Sequence, residues 1–367
     1  MVAITVGCLC LAGLLASTGT RTLRVGGSAE SDTRTIQAAV ELVPSGTIPW
    51  TIEVEPGTYA ERVHLTASKP PITISGLGAP EDVVLRSACP GGTGDGTTGC
   101  TPCAPFNGSM PSPAMRADVT TLLVGSPDFT LRNLTVANDA CGYDASRAAQ
   151  SDAVQVRADR AAFYNCRLLG AQDTLLTVGG VAARSYFHGT FVNGSCDSVY
   201  GDSSAVFEQC DIAIVDHVTA HKGDEGPAGS SSGSVYLFVN SRLRKPAQGE
   251  RAFPARKGGS ELGRPWGPLA HVVYKNVWMD DHIAGYGWGD WAHGCGAFGA
   301  ACASNRSCWC QNVTYAEFNS TGPGANTHAR VPWSKQLTQE QADAITPSTV
   351  LRDWVPPVTY PCPEQSQ

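Results

Sequence analysis

The chain has 367 residues with a formal net charge of −7, and hydrophobic residues make up 42% of it. This composition supports a large buried core and excludes global disorder. Charged residues are only 16% and acidic overall, which argues against a nucleic-acid-binding protein, because such proteins need a dense basic face. The length permits one large all-β domain or two ordinary ones, and 40 Gly and 24 Pro favour turns over long helices.

The first predicted element is an apolar, uncharged stretch from Val2 to Leu15, followed by small residues up to Gly19. This pattern is typical of a secretory signal peptide, so we predict a signal peptide over 1–19 and a single mature domain over 20–367. The stretch is short for a membrane span, and no other segment is long enough to be one. The alternative is that it forms a buried first strand or helix.

A helix is predicted next, over 33–43, where apolar residues recur at helical spacing and Asp32 is placed to cap the start. We expect this helix to cover the open end of the repeats that follow. The tail over 322–367 is Pro-rich, with one further helix predicted over 338–344, and we expect it to pack on the repeat domain.

Short β-rich runs recur between these helices, each with a polar residue near its centre. The polar centres are Asn133, Asn165, His188, Gln209, Asn240 and Asn276. The intervals from Asn165 to His188 and from His188 to Gln209 are near 22 residues and the others are longer, which is typical of a parallel β-solenoid with loop insertions. We therefore predict an all-β solenoid with long loops on one face. A β-sandwich is the alternative, but hairpin signals are nearly absent.

The chain contains 14 Cys, of which Cys8 and Cys10 lie in the predicted signal peptide. The even number that remains indicates disulfides in a secreted chain. Two clusters lie in loops, and they are Cys89, Cys100 and Cys103, and Cys295, Cys302, Cys308 and Cys310. The second cluster could bind zinc, but it lacks paired C-x-x-C knuckles, so oxidation is the simpler interpretation. Sequons for glycosylation occur at Asn107, Asn133, Asn193, Asn305, Asn312 and Asn319.

Two acidic residues occupy the same place in successive repeats, since Asp173 follows Asn165 by eight residues and Asp197 follows His188 by nine. Stacked coils are about 4.8 Å apart, so we expect the two carboxyl groups to be neighbours, one ionised and one protonated. This pair suits ester cleavage, because the carboxylate can attack the carbonyl carbon while the acid protonates the leaving alcohol. Taken singly, an Asp such as either of these is more often a turn or cap residue than a catalytic one, and only their coincidence in one repeat register favours the catalytic interpretation.

Three further residues fit the same chemistry. Gln172, beside Asp173, offers two N–H donors for an oxyanion. Arg264 has a rigid fork of donors that can orient a carboxylate nucleophile, and Trp266 offers a flat surface for a sugar ring. On its own, Arg264 also fits a surface ion pair.

Together these segments resemble the pectin methylesterases, aspartyl esterases built on a right-handed parallel β-helix. The similarity covers nearly the whole predicted mature chain. The matching stretches are 57–61, 74–78, 161–166, 170–175, 197–201, 262–266, 279–282, 287–288 and 319–326. The Gln-Asp-Thr-Leu sequence at 172–175 and the Leu-Gly-Arg-Pro-Trp sequence at 262–266 are the specific matches.

The resemblance implies a role for each matching residue. Asp197 would be the nucleophile, Asp173 the general acid and then base, and Gln172 an oxyanion donor. Arg264 would hold Asp197 and contact substrate. The family needs no metal or other cofactor.

The resemblance also implies substrate and disulfide positions. Trp266 would line the sugar groove, and Thr120 falls where the family places a substrate-contacting Thr. Cys141 and Cys166 fall where a disulfide is common in plant members.

The sequence departs from the family at two places. Asp152 replaces the second oxyanion-hole Gln, so an ionised Asp152 would repel the oxyanion, whereas a protonated one could donate to it. Gln150 and Gln155 are both candidates to substitute, and we expect Asp152→Gln to raise activity or to extend it to higher pH. Ser198 replaces a groove aromatic, while Tyr200 retains one.

The sequence thus predicts a secreted, extracellular, monomeric enzyme of the cell wall that hydrolyses the methyl esters of homogalacturonan. Three alternatives remain open at this point. They are an esterase for another ester, a non-catalytic β-helix that binds polysaccharide, and a β-helical galacturonase or lyase. The last is disfavoured, since a galacturonase has no use for an adjacent Gln donor and no clear calcium cluster for a lyase is found.

Overall fold

The computed structural model describes residues 21–88, 119–140, 150, 152–224, 233–251, 259–290 and 312–357. The predicted signal peptide, both cysteine clusters and Cys141 lie outside these ranges. Within them, 26 strands form three sheets in which every strand pair is parallel, the arrangement of a parallel β-helix. The predicted solenoid is confirmed. None of the described helices is long and apolar enough to cross a membrane.

Each coil of the solenoid contributes strands to the three sheets in turn, and the strands are numbered in chain order. Sheet A contains β1 (Arg21–Val25), β2 (Trp50–Val54), β5 (Ile72–Gly76), β8 (Phe129–Arg132), β11 (Ala161–Tyr164), β14 (Arg184–His188), β17 (Ser204–Glu208), β20 (Tyr236–Val239), β23 (His271–Lys275), β25 (Thr314–Phe318) and β26 (Lys335–Gln336). Sheet B contains β3 (Gly57–Ala60), β6 (Val83–Ser87), β9 (Thr135–Asn138), β12 (Arg167–Leu169), β15 (Phe191–Gly194), β18 (Asp211–Ile214), β21 (Arg242–Arg244) and β24 (Trp278–Met279). Sheet C contains β4 (Val63–Leu65), β7 (Leu122–Val124), β10 (Val154–Val156), β13 (Leu175–Thr177), β16 (Val199–Gly201), β19 (Thr219–His221) and β22 (Arg264–Pro265).

Each predicted β-rich run is in fact two strands, one in sheet A and one in sheet B, separated by a turn. Asn165 at φ 48° separates β11 from β12, and Asn276 at φ 55° separates β23 from β24. Asn tolerates this left-handed conformation better than most residues. The turn amides also bond to one another, since Asn165 Nδ2 donates to Asn133 Oδ1 at 2.9 Å and Asn319 Nδ2 donates to Asn276 Oδ1 at 2.9 Å. We call Asn133, Asn165, Asn240, Asn276 and Asn319 the asparagine ladder.

The predicted polar centres coincide with these turns, with one exception. Gln209 has φ 53° and lies between β17 and β18, as the repeat predicts. His188, however, is the last residue of β14, and the left-handed turn falls on Gly189 at φ 56°. The predicted centre was therefore wrong by one residue in this coil, because a glycine turn carries no polar side chain to mark it.

The interior of the solenoid is filled by aromatic rings from successive strands of sheet A. Phe163 and Phe187 stack at 4.6 Å between ring centroids, Phe187 and Phe207 at 4.7 Å, and Phe207 and Phe238 at 4.5 Å. All four side chains are fully buried. Because each large ring contributes substantial buried area, this column fixes the stacking register of the coils.

The first helix, α1 (Ile36–Leu42), packs beside β1, β2 and β4 and buries Ile36, Ala39 and Val40. The predicted helix is confirmed, but its predicted N-cap is wrong. Thr35 is the N-cap, and its side chain accepts a hydrogen bond from the Ala38 backbone N–H. Asp32 instead accepts from the backbone N–H of Arg24 at 2.7 Å. That α1 covers the open end of the solenoid remains a prediction.

The C-terminal tail covers the outer face of sheet A with α2 (Gln339–Ala344) and α3 (Pro347–Leu351). The helix predicted over 338–344 is α2, and Thr338 begins it with a capping box. Val350 and Leu351 of α3 pack with Val206 and Leu237 of sheet A in one buried cluster.

The predicted disulfide between Cys141 and Cys166 is wrong, since Cys166 is a free thiol. Its side chain faces the solenoid interior, and Sγ contacts the carbonyl oxygens of Tyr164 and Leu131. Burial raises the pKa of this thiol to about 12, so it is inert at neutral pH. Cys196 and Cys210, the other described cysteines, are also free.

Candidate active site

The candidate site lies on the connection from sheet B to sheet C, where polar residues occupy one position in successive coils. Leu175 pairs with Val199, so Asp173 and Asp197, each two residues earlier, face one another across adjacent coils. The Asp173 N–H donates to the Cys196 carbonyl at 2.9 Å, which confirms this register. The same register extends past Asp197 to His217 and then Glu261. On the other side, the chain from Gln150 to Val154 is one residue longer than its partner from Gln172 to Leu175, so Asp152, with Thr120 beside it, is offset by one position from Asp173. We call the set of Thr120, Asp152, Asp173, Asp197, His217 and Glu261 the site column.

The backbone at both central aspartates is left-handed, with φ 62° at Asp173 and φ 48° at Asp197. A non-glycine residue in this region is held there by its surroundings, and such residues concentrate at functional sites. Both side chains are nearly buried, with relative exposures of 5% and 3%. The repeat thus places the two aspartates at facing positions on a constrained backbone, and the closeness of their carboxyl groups remains a prediction.

Arg264, at the start of β22, holds Asp197 through two hydrogen bonds. Its Nε donates to Oδ1 at 2.9 Å and its Nη2 donates to Oδ2 at 2.6 Å. Burial lowers the pKa of Arg264, but the hydrogen bonds to Asp197 and the charges of Asp197, Cys196 and Asp216 together raise it overall. A bidentate pair of this kind fixes the carboxylate in both position and orientation.

Gln172 adjoins Asp173 and is partly exposed, which leaves its amide accessible to a ligand. Gln150, which the sequence alone could not place, forms a backbone bridge with Gln172. Paired residues of parallel strands project to the same side, so we expect the two amide side chains to lie on the same side, next to Asp173. Gln150 is partly exposed as well.

Asp152 is fully buried and accepts a hydrogen bond at each carboxylate oxygen. Tyr200 OH donates to Oδ1 at 2.7 Å and Gln155 Nε2 donates to Oδ2 at 2.6 Å. Arg157 Nη2 in turn donates to Gln155 Oε1 at 2.7 Å. Asp152 therefore anchors Tyr200 and Gln155 and is not presented as an oxyanion donor, and Gln155 is held inside the same network.

The two aromatic residues predicted to line the groove lie next to each other. The rings of Tyr200 and Trp266 are 6.0 Å apart at 55°, and Trp266 is 37% exposed. Lys222 Nζ lies 5.9 Å from the centroid of the Trp266 ring. Thr120, by contrast, is fully buried, beside Asp152 in the site column.

Sequence reasoning missed three residues next to the nucleophile candidate. Cys196 Sγ lies 3.2 Å from His217 Nδ1, and His217 Nε2 lies 3.0 Å from Glu261 Oε2. Arg264 Nη2 also contacts Cys196 Sγ at 3.4 Å. The signal that could have found them is the site column itself, because extending its register past Asp197 reaches His217 and then Glu261.

The arrangement combines a carboxylate held by a guanidinium, a second carboxyl group and amide donors, on the edge of a parallel β-helix that carries an exposed Trp. These are the groups needed by a carbohydrate-directed hydrolase that uses a carboxylate nucleophile. Comparison with known proteins makes the class more specific. The family model described as Pectinesterase matches residues 92–353, and the chain belongs to the pectinesterase family of ester hydrolases.

Individual relatives agree with this assignment over most of the chain. Pectinesterase 31 of Arabidopsis thaliana is 31% identical, over 88% of this chain and 90% of the relative. The solved pectin methylesterase PemA from Erwinia chrysanthemi is 25% identical with a TM-score of 0.68, covering 94% of this chain and all of that one. The pectin methylesterase from carrot, 23% identical with a TM-score of 0.70 over 92% of this chain and 94% of that one, supports the fold.

Proposed function

We propose that this protein is a secreted pectin methylesterase that hydrolyses the methyl esters of homogalacturonan, releasing methanol and leaving free galacturonate carboxylates. The observation that carries the proposal is the bidentate hold of Arg264 on Asp197 directly opposite Asp173, in a chain of the pectinesterase family. No step of the mechanism below uses a metal or other cofactor.

In the first half of the reaction, an Asp197 carboxylate oxygen attacks the ester carbonyl carbon. Arg264 keeps that oxygen in place, so little orientational freedom is lost as the bond forms. The carbonyl oxygen becomes an oxyanion, which the amides of Gln172 and Gln150 are placed to stabilise by donating N–H groups. When the tetrahedral intermediate collapses, the methoxy oxygen leaves and takes the proton of Asp173 as methanol.

In the second half, water attacks the carbonyl carbon of the covalent intermediate while Asp173, now ionised, accepts a proton from that water. Collapse of the second tetrahedral intermediate breaks the bond to Asp197 and restores its carboxylate. The galacturonate carboxyl group leaves, and Asp173 carries the proton required for the next cycle. One Asp thus serves as acid and then as base, which requires it to lie close to the nucleophile, as their facing positions in adjacent coils provide.

The groove beside the site suits an anionic sugar polymer. Trp266 is exposed enough to stack on a pyranose ring. Tyr200 packs against the Trp266 ring and donates a hydrogen bond to Asp152. Lys222 adds an exposed positive charge next to the Trp266 ring, which favours galacturonate units that have already lost their methyl group. A related pectin methylesterase, 26% identical, has been solved in complex with a hexasaccharide.

Secretion is the part of the proposal that rests on sequence alone, namely the apolar segment over 1–19 and the sequons. The exposure of each sequon in the structure indicates which of them are accessible to glycosylation. Asn193 is 1% exposed and its Nδ2 donates to the Ala213 carbonyl, so this sequon is closed in the folded protein. Asn312 is exposed, and we expect it to be modified in a eukaryotic host.

The test is to incubate the purified protein with highly methylated pectin and to follow methanol and viscosity together. We expect methanol release at constant viscosity. We expect that release to be lost in Asp197→Ala and kept in Asp343→Ala, a matched change on the exposed surface of α2. Circular dichroism of both variants verifies that they are folded.

Other outcomes would assign a different function. A fall in viscosity would indicate cleavage of the polymer backbone by a galacturonase or lyase. No methanol from folded wild-type protein, with pectin still bound, would indicate a binding β-helix. Methanol release that is unchanged in Asp197→Ala would refute the proposed nucleophile.

A further inference from the structure

A second cluster of reactive side chains lies immediately beside the candidate nucleophile and has no role in the mechanism above. It consists of Cys196, Asp216 and His217, which we call the Cys-His-Asp cluster. One ligand atom from each residue lies within 4.8 Å of the other two. His217 Nδ1 is central, at 3.2 Å from Cys196 Sγ and 3.1 Å from Asp216 Oδ1.

These separations suit a tetrahedral zinc ion. Zinc binds sulfur at about 2.3 Å and imidazole nitrogen at about 2.0 Å, so two such ligands on one ion are about 3.5 Å apart. The Cys196 Sγ to His217 Nδ1 distance and the His217 Nδ1 to Asp216 Oδ1 distance each differ from that value by a few tenths of an ångström. Thiolate, imidazole and carboxylate are also the three ligand types that zinc accepts in proteins.

The surroundings supply the outer support that metal-binding histidines have. Glu261 Oε2 lies 3.0 Å from His217 Nε2, which favours a proton on Nε2 and leaves the Nδ1 lone pair facing Cys196 and Asp216. Tyr286 OH donates to the other oxygen of Glu261 at 3.1 Å. Arg264 Nη2 contacts Cys196 Sγ at 3.4 Å, a contact that stabilises a thiolate.

The simpler interpretation is that Cys196 donates an ordinary hydrogen bond to His217, as a neutral thiol. A reactive nucleophilic cysteine is disfavoured, because burial and then the charge of Asp197 raise its pKa well above the usual value. Coordination to a dication removes the thiol proton despite burial. The choice is therefore between a passive hydrogen bond and a metal site.

We propose that Cys196, Asp216 and His217 bind one zinc ion, with a fourth position open to water and with Glu261 supporting His217. Access is through Cys196 and Asp216, which are both partly exposed, whereas His217 is 6% exposed. The ion would sit one residue from Asp197. The ion and Asp197 would also share Arg264, because Nη2 of Arg264 contacts both Cys196 Sγ and Asp197 Oδ2.

Cobalt(II) titration of the metal-free, full-length protein tests this without reference to esterase activity. We expect one equivalent to bind with a thiolate-to-cobalt charge-transfer band, which zinc then abolishes by displacing the cobalt. Cys196→Ser and His217→Asn should remove the band. Glu261→Gln should weaken binding by about 10–100-fold, the usual effect of losing an outer-shell partner. Cys210→Ser is the matched control, since Cys210 is a buried thiol bonded to backbone carbonyls, and it should retain the band.

X-ray absorption at the zinc edge of the wild-type protein keeps the proposal testable if a variant fails to fold. We expect one sulfur ligand with nitrogen and oxygen ligands. A sulfur-only shell would assign the metal to cysteines elsewhere in the chain and overturn the proposal. Failure of the wild type to bind either metal, or an unchanged cobalt band in folded Cys196→Ser, would overturn it as well.

Discussion

Two corners of this solenoid carry stacked polar side chains in several of its coils, and the two corners differ in charge. The asparagine ladder, between sheets A and B, consists of neutral amides that bond to one another, as Asn319 does to Asn276 at 2.9 Å. The site column, between sheets B and C, contains carboxyl groups at Asp152, Asp173 and Asp197. Residues of both have left-handed backbones, so the repeat supplies the same geometry twice.

The difference in charge indicates which corner stabilises the solenoid and which corner is available for catalysis. Asn amides donate and accept at once, so a column of them satisfies itself. Carboxylates only accept, so a column of them requires donors from outside the column, such as Arg264 for Asp197 and Tyr200 for Asp152. A polar column that depends on such partners is therefore the one expected to carry function. The predictions below separate the two corners.

Apart from substitution of the proposed nucleophile Asp197, we expect the largest loss of kcat from substitution of Asp173. Asp173→Asn removes the proposed proton donor for methanol departure and the proposed base for hydrolysis, so we expect kcat to fall about 10²–10⁴-fold. The free energy of unfolding should change little. Methanol release and urea unfolding measure the two quantities, and an enzyme of near-normal kcat would show that Asp173 is structural.

The next effect is on the oxyanion donors. Gln172→Ala and Gln150→Ala should each lower kcat about 10²–10³-fold, the usual cost of losing one donor. Gln339→Ala, on the surface of α2, is the matched control and should be normal. If Gln150→Ala keeps a normal kcat while Gln172→Ala does not, the second oxyanion donor is not Gln150.

Asp152 belongs to the site column but should behave as a support. Asp152→Asn places an amide N–H opposite the Tyr200 hydroxyl or the Gln155 amide, which both donate to Asp152. We expect a loss of about 1–3 kcal/mol in the free energy of unfolding. We also expect a rise in KM larger than the fall in kcat, since Tyr200 packs against Trp266. Urea unfolding and steady-state kinetics test this.

The structure thereby removes the basis for expecting Asp152→Gln to raise activity. That expectation treated Asp152 as a failed oxyanion donor, whereas both of its oxygens are engaged as acceptors in a buried network. A gain in activity at any pH in Asp152→Gln or Asp152→Asn would contradict the supporting role.

The smallest effect is expected in the asparagine ladder. Asn276→Ala removes the hydrogen bonds to Asn240 and from Asn319 and places Ala at φ 55°. The free energy of unfolding should fall by about 1–2 kcal/mol, while kcat and KM stay the same. A loss of activity without a loss of stability would mean that this corner also contributes to catalysis.

Much of the fold was predictable from the sequence because the repeat is marked by polar residues in apolar runs. The structural role of those polar residues was not predictable. An Asn within a run fits either an edge position in one strand or a left-handed turn between two strands. The Gly189 turn and the Thr35 cap were missed for similar reasons. Gly189 has no side chain to signal a turn, and Asp32 and Thr35 both have side chains suited to capping.

The candidate site was also only partly predictable from the sequence. Asp173 and Asp197 could be paired from their similar distances to the repeat centre, eight and nine residues, and Arg264 and Trp266 came from a specific motif. Glu261 could not be paired with His217, because the insertion between their coils removes any fixed spacing, whereas Cys196 and His217, 21 residues apart, follow the period of the repeat. Only the strand register, which joins His217 to Glu261 across 44 residues of sequence, brings those two residues together.

The most direct test of the account compares Asp197→Ala with Asn276→Ala in the same two assays, methanol release from pectin and unfolding in urea. We predict opposite results. Asp197→Ala should lose at least about 10⁴-fold in kcat, as other covalent nucleophiles do, far more than the stability lost with its Arg264 pair would explain. Asn276→Ala should keep its activity and lose stability. If both variants lost stability and activity together, the division between a structural corner and a catalytic corner would be contradicted.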